Sequence, residues 1–199
     1  MMPFVPWTRP RSAAAETATL LVRLARGDRD ALDTLYRREA GPVYRYALAL
    51  GGNPAWAADA TQEAFIALAL RPGGFDASRG AIGAYLAGMA RHTLLALWRD
   101  AQGLLPLADD DDEPGADAGC SDAPETLLVR AQASAAVWQA LRALPAAQRE
   151  AVVLVDLQER PYAEAAQIAG IELNTLRTRL HRARLRLAAL LDAGPGDPR

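Results

Sequence analysis

The stretch YAEAAQIAGIELNTLRTRLHRARLRLAALL, Tyr162 to Leu191, decides the fold. It reads as a short helix over Tyr162–Ala169, a turn at Gly170 and a long helix from Leu173 to Leu191, the helix-turn-helix arrangement. Ala165, Ala166 and Ile168 offer small apolar surface where two helices cross closely, and Gly170 supplies the sharp turn. In the long helix Leu176, Leu180, Ala183, Leu187 and Leu190 recur at helical spacing and are expected to face inward. Arg177, Arg179, Arg182, Arg184 and Arg186 fall mostly away from that stripe. The first turns of such a helix enter the major groove. Asn174, Thr175, Arg177 and Thr178 sit there, and Asn pairs with adenine, Arg with guanine and Thr with the thymine methyl. His181 and Arg182 extend this set of candidate base readers, while Arg179, Arg184 and Arg186 suit phosphates. The competing reading is an ordinary amphipathic helix with a solvated arginine face; the preceding helix and glycine turn favour DNA.

Upstream, the helical period continues. Glu125–Ala143 reads as one helix, Leu144-Pro145 breaks it, and Ala146–Gln158 reads as a second, apolar on nearly all sides and therefore buried. In the first half, helical spacing begins at Leu20. Gly27-Asp28 interrupts it, Asp28 is placed to cap the next helix, and Gly41-Pro42 is expected to break or kink that helix before Gly51-Gly52 ends it. Asn53-Pro54 opens a helix over Ala55–Leu70, with Asn as cap and Pro in the first turn. Arg71-Pro72-Gly73-Gly74 stops it, and a last helix covers about Ala81–Trp98. Asp59, Gln62 and Glu63 share one face of their helix, a polar face suited to a basic partner.

Ala, Leu, Arg and Glu are strong helix formers, and the chain of 199 residues is expected to be all-α. Its organisation is read as a disordered extension (1–17), a first helical domain (18–102), a flexible acidic linker (103–124), a helix-turn-helix domain (125–192) and a tail (193–199). All 22 basic residues are arginine, and the net charge of −2 hides a partition. Residues 1–105 carry 12 Arg and 9 acids, 106–126 carry 8 acids and no Arg, and 127–199 carry 10 Arg and 7 acids. Two basic segments thus flank one acidic strip. The linker spans roughly 25 Å relaxed and at most about 70 Å. That reach allows two domains to sit a turn or two of duplex apart, at about 34–36 Å per turn.

The single Cys120 excludes an intrachain disulfide, and with only His92 and His181 it builds no familiar zinc cluster. No metal and no cofactor are expected. No Ser-His-Asp set or phosphate loop is present, which argues against an enzyme and leaves no candidate catalytic residue. Met1–Ser12 lacks the apolar core of a signal peptide, and no run of about 18 apolar residues predicts a membrane span, so a cytoplasmic protein without membrane insertion is expected.

Leu144-Pro145, Gln148-Arg149-Glu150, the Tyr162–Ile171 segment and Asn174–Arg184 together resemble domain 4 of the extracytoplasmic-function (ECF) sigma factors. Gly27-Asp28, Ala31-Leu32, Leu35-Tyr36, Asp59–Phe65, Phe75-Asp76 and Ala90-Arg91 resemble their domain 2. The resemblance spans about residues 18–191. It implies that domain 2 binds the β′ clamp helices of core RNA polymerase through Asp59, Gln62, Glu63 and Phe65 and reads the promoter −10 element with Tyr85, Arg91, His92 and Arg99. It implies that domain 4 reads the −35 element with Asn174, Thr175, Arg177, Thr178, His181 and Arg182 and touches the β flap. An anti-sigma factor as a further partner also follows from the resemblance.

The chain departs from the family pattern in places. Tyr85, Gly88 and His92 stand where the −10 helix usually carries Trp, Arg and Asn; Ala96 and Asp100 replace an acid and a base. Glu172 replaces a Ser or Thr cap of the reading helix, and Pro161 a Ser before it. Gly83 and Gly88 each cost a helix up to about 1 kcal/mol relative to Ala, which points to ordering by a partner or to a close helix crossing. Two other readings stand beside this one: a dimeric helix-turn-helix regulator that ignores polymerase, and a sigma-like module that only binds proteins.

Overall fold

The computed structural model describes residues 11–102 and 136–192. The acidic linker, the tail and most of the helix expected over 125–143 lie outside the described residues. Among the described residues there are helices and no strand: α1 (Arg11–Ala25), α2 (Arg29–Gly51), α3 (Pro54–Leu70), α4 (Ile82–Gln102), α5 (136–142), α6 (Ala146–Val152), α7 (Tyr162–Ala169) and α8 (Leu173–Asp192).

The capping signals act as expected. The Asp28 side chain accepts from the Asp30 amide at 3.0 Å, and Asn53 accepts from the Ala55 and Trp56 amides at 2.9 and 3.2 Å, satisfying donors that the first turn leaves open. Gly52 takes the left-handed conformation (φ 69°) and closes α2 through its amide to Leu48 O.

Three local expectations are corrected. Helix α1 starts at Arg11, inside the stretch read as disordered. Thr17 is buried there, and its hydroxyl accepts from Arg38 Nη2 at 2.6 Å, so α2 holds the start of α1 in place. Helix α2 runs unbroken through Pro42. The proline removes one backbone donor, but the apolar face formed by Leu35, Val43, Tyr46, Ala47 and Leu50 packs on both sides of it. Finally, α6 does not continue as α-helix to Gln158; it widens into a π turn over Val153–Leu157, followed by Glu159 at φ 51°.

In the first half, α2, α3 and α4 pack together, and alanines at 47, 57, 60, 64, 87 and 90 are buried where the helices meet. Small side chains allow close helix approach, and Leu35, Leu50, Leu68, Leu86 and Leu94 fill the remaining volume. In the second half, Leu141, Leu144, Leu154, Ile168, Leu176 and Leu180 form the core between α5 and α8. The two halves also meet: α7 lies on α4, and α2 touches α6 and the π turn.

Candidate nucleic-acid and polymerase interfaces

Helix α7 ends at Gly170 (φ 67°, ψ 33°), and the Ile171 amide returns to Ala166 O at 3.0 Å. This left-handed cap turns the chain sharply into α8. Leu176, Leu180 and Ala183 are buried beneath α8, and Leu187 and Leu190 pack partly against the core, so the predicted inward stripe is the observed one. Asn174, Thr175, Arg177, Thr178, His181 and Arg182 are all exposed along the outer face. The Thr178 hydroxyl donates to Asn174 O at 3.0 Å, which engages its polar atom and leaves its methyl as the outward group. Arg184 differs from its expected phosphate-holding role. It forms a two-point pair with Asp156 at 2.5 and 3.1 Å, and that hydrogen bond, against a small opposing effect of burial, holds its pKa above the ordinary arginine value. It ties α8 to the π turn.

On α3, Asp59, Gln62 and Glu63 are exposed as their spacing predicts. Phe65 is not; it is buried and meets the Tyr36 ring edge-on at 4.9 Å between centroids. Beside the carboxylates lies an apolar groove of about 400 Å³, lined by Leu32, Tyr36, Phe65, Ile66 and Leu70 among others. Tyr36, Ile66 and Leu70 are 48%, 40% and 77% exposed, which is unusual for a cluster of large apolar groups. The sequence reading missed this groove. Ile66 stands seven residues after Asp59, on the same helix face, and an apolar residue on a polar face was the available signal.

The four residues read as −10 contacts do not share one environment. Arg99 is exposed and donates to Leu95 O at 3.2 Å within α4. Tyr85 is half-buried and meets Phe75 edge-on at 5.6 Å. His92 is exposed at the rim of a cavity of about 310 Å³. That cavity lies between Tyr85, Gly88, Met89 and His92 of α4 and Gln167 and Ile168 of α7. Arg91 turns the other way, and its Nε donates to Glu150 Oε1 at 2.7 Å.

Of the two glycines of α4, Gly83 is buried as a close crossing requires, whereas a Cβ on Gly88 would meet nothing within 4 Å. Gly88→Ala should therefore raise stability by up to about 1 kcal/mol by improving helix propensity. A thermal midpoint that stays level or falls would contradict the open space at that position.

The Arg91 contact belongs to a buried polar junction that the sequence reading used only as a motif. Glu150 is 4% exposed and Tyr46 fully buried, and the Tyr46 hydroxyl donates to the same Glu150 Oε1 at 2.7 Å. Burial, reinforced by the Glu150 charge, pushes the Tyr46 pKa well above its ordinary value. Burial pulls Arg91 downward, but the attraction and hydrogen bond of Glu150 outweigh it, and its pKa is raised. Arg160, also buried, pairs with Glu164, and its guanidinium feels the Glu39 carboxylate of α2. Arg149 donates to Leu50 O and Arg142 O at 3.0 Å and to Leu144 O at 3.2 Å.

Comparison with known proteins matches residues 35–103 to the family model Sigma-70 region 2 and residues 134–187 to Sigma-70, region 4. The chain is 32% identical to the ECF RNA polymerase sigma factor SigM of Mycobacterium tuberculosis, over 87% of this chain and 84% of that one. It is 33% identical to the ECF RNA polymerase sigma factor SigE of Mycolicibacterium smegmatis, covering 91% and 69% of the two chains. In fold it resembles CnrH, solved in complex with the cytosolic domain of CnrY, with a TM-score of 0.66, 23% identity and 90% and 99% of the chains covered. It also resembles the sigma factor RpoE of Bartonella quintana, solved with the anti-sigma factor NepR, with a TM-score of 0.59, 22% identity and 82% and 98% covered.

Proposed function

This chain belongs to the ECF sigma factors, alternative sigma factors that direct transcription, and from that premise we propose that it binds core RNA polymerase through α3 and reads a two-element promoter with α4 and α8. The observation that supports this best is the pairing of two surfaces on one chain. One is a helix-turn-helix whose reading helix exposes Asn174, Thr175, Arg177, Thr178, His181 and Arg182. The other is an acidic and apolar face, Asp59, Gln62 and Glu63 beside the Tyr36–Ile66–Leu70 groove, which suits the basic and apolar surface of a protein helix better than DNA. A regulator acting alone on DNA has no use for the second surface.

In this reading α8 reads the −35 element and contacts the β flap, and Asp59, Gln62 and Glu63 engage the β′ clamp helices while Phe65, buried beneath them, sets the shape of the groove. Tyr85, His92 and Arg99 serve the −10 element, with Arg91 joining them once its carboxylate partner leaves. The bond-making chemistry belongs to polymerase; the chain contributes position and the binding energy that opens the duplex. It works in the cytoplasm, where an anti-sigma factor is its expected regulator. Among the described residues no helix is long and apolar enough to cross a membrane.

Run-off transcription with core polymerase on a genomic promoter library tests the reading, together with a core pull-down. A chain that ignores core enzyme yet binds duplex DNA tightly alone would overturn it. On a promoter so found, Arg177→Ala should weaken recognition by about 1–3 kcal/mol and relax the preference at one −35 base pair. Its core binding should be intact; loss of core binding instead would contradict a base-reading role.

A further inference from the structure

We propose that the free chain is self-inhibited: Glu150 of the helix-turn-helix half locks onto Tyr46 and Arg91 of the other half and holds α7 over the promoter-facing side of α4. The proposal concerns regulation of the −10 site and rests on the sigma reading.

One carboxylate oxygen, Glu150 Oε1, accepts from both the Tyr46 hydroxyl and Arg91 Nε, each at 2.7 Å. These partners stand 104 and 59 residues away in sequence, on α2 and α4. Around this oxygen, Arg149 Nη1 donates to Leu50 O at the end of α2, and Gln158 Nε2 reaches Pro42 O at 3.4 Å. The junction is buried, so salt does not screen it as it would a surface pair. Its consequences for function are geometric. Arg91, otherwise a candidate to touch DNA, is spent on Glu150, and its side chain is only 15% exposed. Gln167 and Ile168 of α7 close the side of α4 that carries Tyr85, Gly88 and His92. In the same arrangement α8 follows directly on α7, so the two reading helices are held side by side, whereas a linker of 103–124 gives them reach for elements a turn or more of duplex apart. DNA reading by both helices therefore requires the Glu150 junction to open, and core polymerase, by binding α3 and drawing the halves apart, is the partner that opens it.

A buried charge that loses one partner is strongly disfavoured, so the latch is all-or-none rather than graded. The fraction of open molecules also sets affinity for anything that binds only the open form. Glu150→Gln keeps the shape and an acceptor for Tyr46 but removes the charge that holds Arg91. It should raise the open fraction, and with it the affinity for core enzyme, by on the order of 10-fold to 100-fold. Tyr46→Phe removes one hydrogen bond and should act in the same direction by roughly 10-fold or less.

The test uses the full chain carrying Cys120→Ser, with spin labels at Val22→Cys and Leu191→Cys, both exposed positions on opposite halves. Electron–electron distance measurements should give one narrow, short distribution for the free chain. The distribution should lengthen when core RNA polymerase is added, and E150Q should populate the long distances without polymerase. A free chain with broad, long distances overturns the latch, as does an E150Q chain that keeps its helical signal and stays short. Should E150Q lose helix, the wild-type distances and Y46F decide alone. Core competition on the same samples separates the two ideas. Binding to core by a chain that is already open sinks the latch and spares the sigma reading; a closed chain that never binds core sinks the sigma reading.

Discussion

Ile66→Arg should cost the chain most of its affinity for core RNA polymerase, by about 2–4 kcal/mol, or on the order of 30-fold to 1,000-fold. Ile66 stands on the exposed side of α3 at the apolar groove, with Tyr36 and Leu70 exposed beside it. Apolar anchors surrounded by charge are the places where interfaces concentrate their energy. An arginine there both fills the groove and sets a positive charge against a partner selected by the Asp59 and Glu63 carboxylates, so it adds repulsion as well as removing contact. Because the position is 40% exposed, the fold should hold within roughly 0.5 kcal/mol. Competition against a labelled sigma factor for core enzyme reads the effect. Asp59→Ala with Gln62→Ala should lower core binding in the same assay, but less, since rim charges act mainly on association rate. Undiminished core binding by Ile66→Arg would remove the groove from the polymerase surface.

Arg149→Leu should be the most destabilising single change, by about 3–5 kcal/mol, with a fall in thermal midpoint on the order of 10 °C. One guanidinium serves Leu50 O, Arg142 O and Leu144 O. Leu50 lies in the last turn of α2 and Arg142 ends α5, where helix carbonyls have no partner of their own. Arg149 thus caps two helices from opposite halves of the molecule. Burial, with the nearby Arg142 charge, lowers its pKa, which measures how poorly water solvates it there and how much the carbonyls must supply. Leucine fills the space and leaves those acceptors dry. Lysine should rescue little, because a single ammonium cannot reproduce the planar fork that reaches three oxygens. A Leu variant melting within 2 °C of wild type, a margin of about 1 kcal/mol at this size, would show that water replaces the arginine at small cost.

Much of the protein was legible in its residues because helix formation is local. The 3.6-residue period, the Asn53 and Asp28 caps and the Gly170 turn act over a few residues, and all of them reappear in the structure. The same locality made the outer face of α8 readable, since a stripe of Leu176, Leu180 and Ala183 turned inward leaves Asn174, Arg177 and Thr178 outside. Where the reading erred, packing overrode a local rule. Pro42 lies within one helix because the apolar face runs across it, and Arg11–Thr17 is helical because α2 supplies it with a partner. Phe65 looked like part of a polar face and is its floor.

By itself the sequence determined the helices, their inward and outward faces and the family. Those follow from periodicity, capping and motif order, which are written along the chain. Only the tertiary structure decided where Arg91 points, that Tyr36, Ile66 and Leu70 make a groove, and that Glu150 joins two halves. Each of those depends on side chains tens of residues apart meeting in space: Tyr46 and Glu150 across 104 positions, Arg149 and Leu50 across 99. No spacing rule along one chain encodes such a meeting; it follows from the way packed helices bring their faces together. An arginine before a buried carboxylate and an arginine before a phosphate are the same residue in sequence, and the partner within hydrogen-bond reach is what separates them.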